Sequence, residues 1–144
     1  MLKDKLKTET VVALKSGDKR RVEVLRYAIA LIDKRALQLP VDKMTEAEEI
    51  QVLRKELKNK EEAKEIFNKA GRNDLVEQQD YEIGVVKEYL PAEMSEAEIE
   101  RIVNEAIAQK GTNMGMVMGE VMRVIAGRAG GEIVAKIVRQ KISG

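Results

Sequence analysis

The sequence contains no histidine, no cysteine and no tryptophan among its 144 residues. Histidine is the usual general base near neutral pH, and histidine and cysteine are the softer metal ligands in proteins. Their absence excludes thiol nucleophiles, zinc sites and Ser–His–Asp triads. The remaining reactive groups are carboxylates, lysines and a few hydroxyls. We therefore expect no catalytic residues, no cofactor and no metal, although composition alone does not forbid magnesium held by carboxylates.

Aromatic residues are also scarce, and the four that occur are Tyr27, Phe67, Tyr81 and Tyr89. Proteins that read single-stranded RNA usually stack its bases on exposed rings. Because these four rings lie mostly on apolar stripes, any RNA contact should instead use the shape and phosphates of a structured RNA. Such binding is modest in affinity and strongly dependent on salt.

Long apolar runs are missing as well. No segment approaches the roughly 20 apolar residues that cross a bilayer. Residues Met1–Lys7 are charged and no apolar stretch follows them, so they do not resemble a secretory signal. We expect a soluble, cytoplasmic protein with no membrane partner and no disulfide bonds.

Charges are abundant but nearly balanced, with 26 basic and 25 acidic side chains. This balance argues against a protein that coats nucleic acid through bulk charge. The distribution is uneven, because residues 1–39 carry 10 basic and 5 acidic side chains and residues 40–90 carry 9 and 13. Residues 121–144 carry 5 basic side chains and 1 acidic one. Both ends are therefore basic, and the middle is acidic.

Apolar residues recur at steps of three and four throughout the chain, and no segment alternates as a strand does. Four helices are predicted before Pro91. The first covers about 2–14, the second ends at Pro40, the third covers about 45–70 and the fourth covers 73–89. Three shorter helices are predicted after it. The sequence thus predicts an all-α protein with a four-helix bundle over 1–90 and a three-helix bundle over 91–144.

Capping signals mark several of the predicted helix starts. Thr45 with Glu48, and Ser95 with Glu98, have the spacing of capping boxes, and Asn73 is a good N-cap residue. In the third helix, Lys60 interrupts the apolar stripe. The pairs Glu48-Glu49 and Glu61-Glu62 are consecutive on charged helices, so we interpret them as solvated surface rather than paired catalytic carboxylates.

Three groups of residues carry a resemblance to a known family. They are Leu53–Lys58 with Lys69–Leu75, then Glu88–Pro91 with Ser95–Ile99, then Met114–Met122 with Gly127–Gly131. In this order and spacing they resemble the YqeY family along essentially the whole chain, with a C-terminal domain of the GatB/YqeY type. The resemblance implies two α-helical bundles, of four and three helices.

The same resemblance carries expectations about function. The C-terminal half of the family is similar to the tail of the B subunit of glutamine-dependent Asp-tRNA/Glu-tRNA amidotransferase, a carbon–nitrogen ligase. That tail contacts tRNA, and the catalytic domain lies elsewhere in the subunit. The resemblance therefore implies tRNA or an amidotransferase protein as partners, without catalysis by this chain alone. One departure is Gly130, where the family often has an acidic residue that could contact a partner.

Two basic clusters are the candidate RNA-binding residues. One comprises Arg123, Arg128, Lys136, Arg139 and Lys141, and the other comprises Lys19, Arg20 and Arg21. The alternative is a solvated surface, because cations also favour helix C-termini. Cations at a helix N-terminus have no such advantage, which makes the second cluster a mild functional hint. Reversing the charges of Arg128 and Arg139 is expected to abolish tRNA binding while the fold stays intact.

Gly115 and Gly119 lie one helical turn apart and mark either close approach by RNA or a partner helix, or tight packing inside the bundle. Met116 lies off the apolar stripe, so we expect it to be exposed. Two functions stay open at this stage. The first is a tRNA-associated accessory module, and the alternative is a helical adaptor for protein partners.

Overall fold

The computed structural model describes all 144 residues, and its regular elements are α-helices. The helices are α1 (Leu2–Ser16), α2 (Lys19–Gln38), α3 (Glu46–Lys69), α4 (Asn73–Lys87), α5 (Glu96–Lys110), α6 (Met114–Ile125) and α7 (Gly131–Ser143). They form two compact units, which we call the N-terminal unit (Met1–Leu90) and the C-terminal unit (Pro91–Gly144). The predicted all-α class, with four helices followed by three, is confirmed. None of the helices combines the length and apolar character that spanning a bilayer requires.

The N-terminal unit is built on the predicted apolar stripes. Leu6, Leu25, Ile32 and Leu53 are among its most deeply buried side chains, at 1% exposure each. Helix α1 ends at Gly17, whose φ of 76° is a left-handed conformation that glycine adopts without steric cost. Helix α2 ends before Leu39, which is extended, as expected for a residue that precedes a proline.

The predicted capping interactions are confirmed at two helices and wrong at a third. Thr45 Oγ1 accepts from the Glu48 N–H and Ser95 Oγ from the Glu98 N–H, each at 3.2 Å. Asn73, in contrast, is already the first residue of α4, and no side chain caps that helix.

Helix α4 also ends earlier than predicted, at Lys87 rather than Tyr89. The amides of Glu88, Tyr89 and Leu90 bond to the carbonyls three residues before them. Such three-residue steps tighten the end of a helix and end its regular hydrogen bonding. Pro91 follows at once, so the helix cannot continue.

Lys60, which interrupts the apolar stripe of α3, is nevertheless buried, with only 7% of its surface exposed. Its Nζ lies 2.8 Å from Glu82 Oε1 on α4 and 3.3 Å from Glu56 Oε1 on α3. Burial alone would lower the pKa of Lys60, but the hydrogen bonds and charges of Glu82 and Glu56 outweigh it and raise the pKa. The lysine therefore belongs to a buried ionic cluster between the two helices.

The interpretation of Glu49 as solvated surface is wrong, although Glu61 and Glu62 are exposed as predicted. The Glu49 side chain is 1% exposed, and its Oε2 accepts from the Lys3 N–H at 2.6 Å. Met1 provides no side-chain cap for α1, so a carboxylate from α3 satisfies one of the unpaired amides at the start of that helix. The other oxygen, Oε1, is buried without a hydrogen-bond partner.

The substitution Glu49→Gln is expected to change the pH dependence of stability. Burial raises the pKa of Glu49, opposed by the bond from Lys3, so the folded state binds this proton more tightly than the unfolded state. The stabilisation due to Glu49 is then fully present below about pH 4.3, its unfolded pKa, and is lost as pH rises through the folded pKa. The free energy of unfolding of Glu49→Gln, measured by urea titration and compared with that of wild type, should therefore increase as the pH is raised from 4 to 7. Equal pH profiles for both proteins would contradict this account.

The C-terminal unit has its own core, to which all three helices contribute. Ile99, Val103, Val117, Val121, Ile125, Val134 and Val138 are fully buried there. The Met94 N–H donates to the Arg128 carbonyl at 3.1 Å, which joins the start of the unit to the turn between α6 and α7. These contacts fix which side of each helix faces outward.

Candidate nucleic-acid interface

Helix α7 has a buried apolar face and an exposed basic face. Val134, Ile137 and Val138 are buried, whereas Lys136 and Arg139 are exposed. These two cations, three residues apart, are neighbours on the helix surface, and we call them the α7 basic pair. Neither side chain makes an ion pair or a hydrogen bond within the protein, so both charges are available to solvent or a ligand.

Arg123, also predicted as an RNA contact, is paired within α6. Its Nη2 lies 2.6 Å and its Nε 3.2 Å from the two carboxylate oxygens of Glu120. The hydrogen bond from Arg123 lowers the pKa of Glu120, and the same bond raises the pKa of Arg123. The pair is solvated on the arginine side, and its net charge is close to zero.

Arg128 closes the C-terminus of α6. The chain leaves this helix through Ala126 and Gly127, both with positive φ. Arg128 then folds back, and its Nε and Nη2 donate to the carbonyls of Ile125 and Val124 at 2.9 and 3.0 Å. These carbonyls have no partner inside the helix, so Arg128 has a structural role there.

Lys141 lies near an acidic group at the edge of ion-pairing distance. Its Nζ is 3.9 Å from Glu100 Oε2 on α5, and both side chains are more than a third exposed. An exposed pair at this distance contributes little to stability. Lys141 is therefore only loosely held.

The cluster at the start of α2 has an evident structural role. The Arg20 guanidinium bonds to both oxygens of Glu77 at 3.0 and 2.9 Å and lies 4.0 Å from the centre of the Tyr81 ring. Arg21 bonds to Glu88 at 2.7 Å and to the Tyr89 hydroxyl at 2.8 Å. Arg20 therefore joins α2 to α4, and Arg21 joins α2 to the residues that directly follow α4, which explains cations at this helix N-terminus.

Lys19 is the remaining member of that cluster. Its side chain is exposed and makes no ion pair or hydrogen bond within the protein. As a single surface lysine, it adds one positive charge to the N-terminal unit.

The glycines of α6 face open space rather than packed neighbours. A Cβ on Gly119 would meet nothing within 4 Å, and one on Gly115 would meet only the Asn113 side chain that caps the same helix. Tight packing inside the bundle is thus not the reason for these glycines. Met116 is 54% exposed, as predicted, on the same solvent-accessible helix.

Gly130 occupies the N-cap position of α7 in an extended conformation, and no side chain caps that helix. An aspartate at this position is a preferred N-cap residue. Gly130 has no side chain to supply such an acceptor, so the amides at the start of α7 lack a side-chain cap.

No three acidic side chains converge on one point as the ligands of a metal ion would. Among the predicted contacts, Lys19, Lys136 and Arg139 have unpaired charges, and only Lys136 and Arg139 lie side by side on one helix.

Comparison with known proteins agrees with the sequence motifs. A family model described as Yqey-like protein matches residues 3–142. Among curated proteins, the E subunit of glutamyl-tRNA(Gln) amidotransferase from Thermococcus gammatolerans is 44% identical over 57 residues. The matched stretch covers 34% of this chain and 9% of that relative, so the similarity concerns a small part of a much larger protein.

Proposed function

This chain belongs to the family of Yqey-like proteins, and we propose from that premise that it is an accessory module that contacts structured RNA, such as tRNA. The similarity to one component of a tRNA amidotransferase supports this class of partner. The module has no catalysis of its own in this proposal. It either acts beside an amidotransferase or binds the same kind of RNA.

The α7 basic pair is the observation that carries the proposal. Arg20, Arg21, Arg123 and Arg128 are engaged by other groups of the protein. Lys136 and Arg139 have no such partners. Binding RNA phosphates would therefore not require them to break any internal interaction.

The geometry favours phosphate contacts rather than base reading. Side chains three residues apart on a helix have Cβ atoms about 5–6 Å from one another. Ile133 is 38% exposed on the same helix and offers only an apolar contact beside the two cations. Contacts of this kind position an RNA but do not read its sequence.

The proposal is tested by reversing both charges of the α7 basic pair. The double variant Lys136→Glu/Arg139→Glu should bind tRNA at least about tenfold more weakly than wild type at low salt, because two phosphate contacts are lost and two repulsions are added. Fluorescence anisotropy with labelled tRNA measures this change. Arg128 is left intact, because its substitution would also remove the cap of α6.

A matched control reverses two exposed, unpaired cations of the N-terminal unit. Lys7→Glu/Lys34→Glu changes the net charge by the same amount but should alter the affinity by less than about twofold. Far-UV circular dichroism checks that each variant is folded. Equal losses in both double variants would show that binding follows net charge, and unchanged binding by the α7 variant would overturn the proposal.

A second candidate function is a protein-interaction adaptor. Met116 and Val124 on α6 and Ile133 on α7 are exposed apolar side chains of the C-terminal unit. A protein partner that buries them would stay bound after nuclease treatment and at high salt. RNA bound through phosphates would dissociate under both conditions.

A further inference from the structure

The N-terminal unit contains a cleft of about 340 Å³ between α2, α3 and α4. Glu56, Lys60 and Ala63 follow one another at steps of four and three, so they share the face of α3 that lines it. Helix α4 contributes Gln79 and Glu82, three residues apart. Helix α2 contributes Tyr27, which completes the lining together with Asn59.

The charged groups of the cleft do not cancel. Lys60 supplies one positive charge, shared between Glu82 at 2.8 Å and Glu56 at 3.3 Å. The second oxygen of Glu82 accepts from Gln78 Nε2 at 2.9 Å, which adds a donor but no charge. Two carboxylates against one ammonium leave a net negative charge. These side chains are mostly buried, at 8% exposure for Lys60, 13% for Glu56 and 19% for Glu82, so water screens that charge less than it would at the surface.

The cleft also contains an unused hydrogen-bond acceptor and an open ring. Gln79 Oε1 is buried and accepts no hydrogen bond, which is uncommon for a buried polar atom. The Tyr27 side chain is 53% exposed, and its ring centre lies 5.6 Å from Lys60 Nζ. Because that ring is only half covered, it offers aromatic surface to an occupant.

We propose that this cleft binds a small organic cation with a primary ammonium group, held by Glu56 beside the Tyr27 ring. A second ammonium group, beside that of Lys60, supplies further N–H donors and the one positive charge that the two carboxylates leave unbalanced. The alkyl chain of the ligand packs against Ala63 and the ring. The same chemistry exists in a free alkyl diamine and in the lysine side chain of another polypeptide.

The test is a titration of the full-length, ¹⁵N-labelled protein with 1,4-diaminobutane, followed by nuclear magnetic resonance. The amide signals of Asn59, Ala63 and Gln79 should shift together and saturate. Tetramethylammonium, which has the charge but no N–H donor, should bind at least about tenfold more weakly, because charged hydrogen bonds are lost. Nα-acetyl-lysine amide is titrated in parallel. Tighter binding by the diamine assigns the site to a free cation, and tighter binding by the lysine derivative assigns it to a polypeptide.

Two variants and one control decide whether the cleft is the site. Glu56→Gln should weaken diamine binding about tenfold by removing a charged acceptor, and the exposed Tyr27→Leu about threefold by removing the ring. Tyr27→Leu also keeps the test valid should Glu56→Gln fail to fold. Glu61→Gln removes an exposed carboxylate of the same helix, outside the cleft, and should bind as wild type does. Equal weakening by Glu61→Gln and Glu56→Gln, or shifts that cluster away from the cleft, would overturn the proposal.

Discussion

The substitution Lys60→Ala is expected to destabilise the N-terminal unit by about 3–5 kcal/mol, because it leaves two mostly buried carboxylates without their shared cation. Glu56 and Glu82 then repel one another between α3 and α4, where Lys60 now bonds to both. Urea denaturation followed by circular dichroism measures the loss. The raised pKa of Lys60 means that its stabilisation is fully present below about pH 10.4, its unfolded pKa, and is lost as pH rises through the folded pKa. The measurement therefore belongs at neutral pH.

Lys64→Ala is the matched control for this prediction. Lys64 also joins α3 to α4, through an ion pair with Asp80 at 2.6 Å, but the two side chains are 43% and 51% exposed. Solvent screens such a pair, so its loss should cost less than about 1 kcal/mol. Similar losses of unfolding free energy in Lys60→Ala and Lys64→Ala would show that burial does not make the Lys60 cluster more stabilising than an exposed ion pair.

The substitution Ile99→Ala is expected to unfold the C-terminal unit. Ile99 is fully buried among α5, α6 and α7, and truncating such a side chain costs about 2–5 kcal/mol. The unit comprises only Pro91–Gly144, and a single core of this size rarely supplies more than about 3–5 kcal/mol. Nuclear magnetic resonance should show the amide signals of α5–α7 collapsing into the unfolded region of the spectrum while those of α1–α4 persist.

Ile133→Ala controls for the chemistry of the change. Ile133 lies on the outer face of α7 and is 38% exposed, so the same truncation removes fewer contacts and should cost less than about 1 kcal/mol. A folded Ile99→Ala protein with native signals in α5–α7 would contradict the marginal stability assigned to this unit. Loss of the α1–α4 signals together with those of α5–α7 would show that the units do not unfold independently.

The fold was predictable because its signals are local. Apolar spacing identified the seven helices, and Pro40 and Pro91 correctly marked where helices cannot continue. The hydroxyl caps at Thr45 and Ser95 depend on residues only three positions away. Boundaries such as the end of α4 shifted by two residues, because the last turn of a helix competes with tighter hydrogen bonding.

The buried charges were not predictable, because their burial depends on helices distant in the sequence. Glu49 of α3 has the sequence context of a solvated glutamate, yet its side chain reaches the start of α1 and accepts a hydrogen bond from the Lys3 N–H. In the sequence, Lys60 only interrupts an apolar stripe, and its burial is explained by the ion pair with Glu82 of α4. Sequence spacing shows which side chains share a helix face, but it does not show which helix covers that face.

The candidate site was predictable as a set of cations but not as a set of available charges. Arg20 and Arg128 are indistinguishable in sequence from surface arginines, yet one bonds to Glu77 and the other to carbonyls of α6. The spacing of three already makes Lys136 and Arg139 neighbours on α7, but only the structure shows that neither has a partner inside the protein. Of the eight predicted contacts, the structure engages Arg20, Arg21, Arg123 and Arg128 firmly and leaves Lys136 and Arg139 as the neighbouring pair without internal partners.

The most direct test of the account is a titration of total tRNA against duplex DNA of matched charge, at about 50 and 200 mM salt. We predict saturable binding that prefers tRNA at both salt concentrations, and an affinity that falls with a logarithmic slope of about −2, as expected for two phosphate contacts. Equally weak binding to both nucleic acids that vanishes with added salt would contradict the account. It would leave α7 with ordinary surface charge and favour a protein partner.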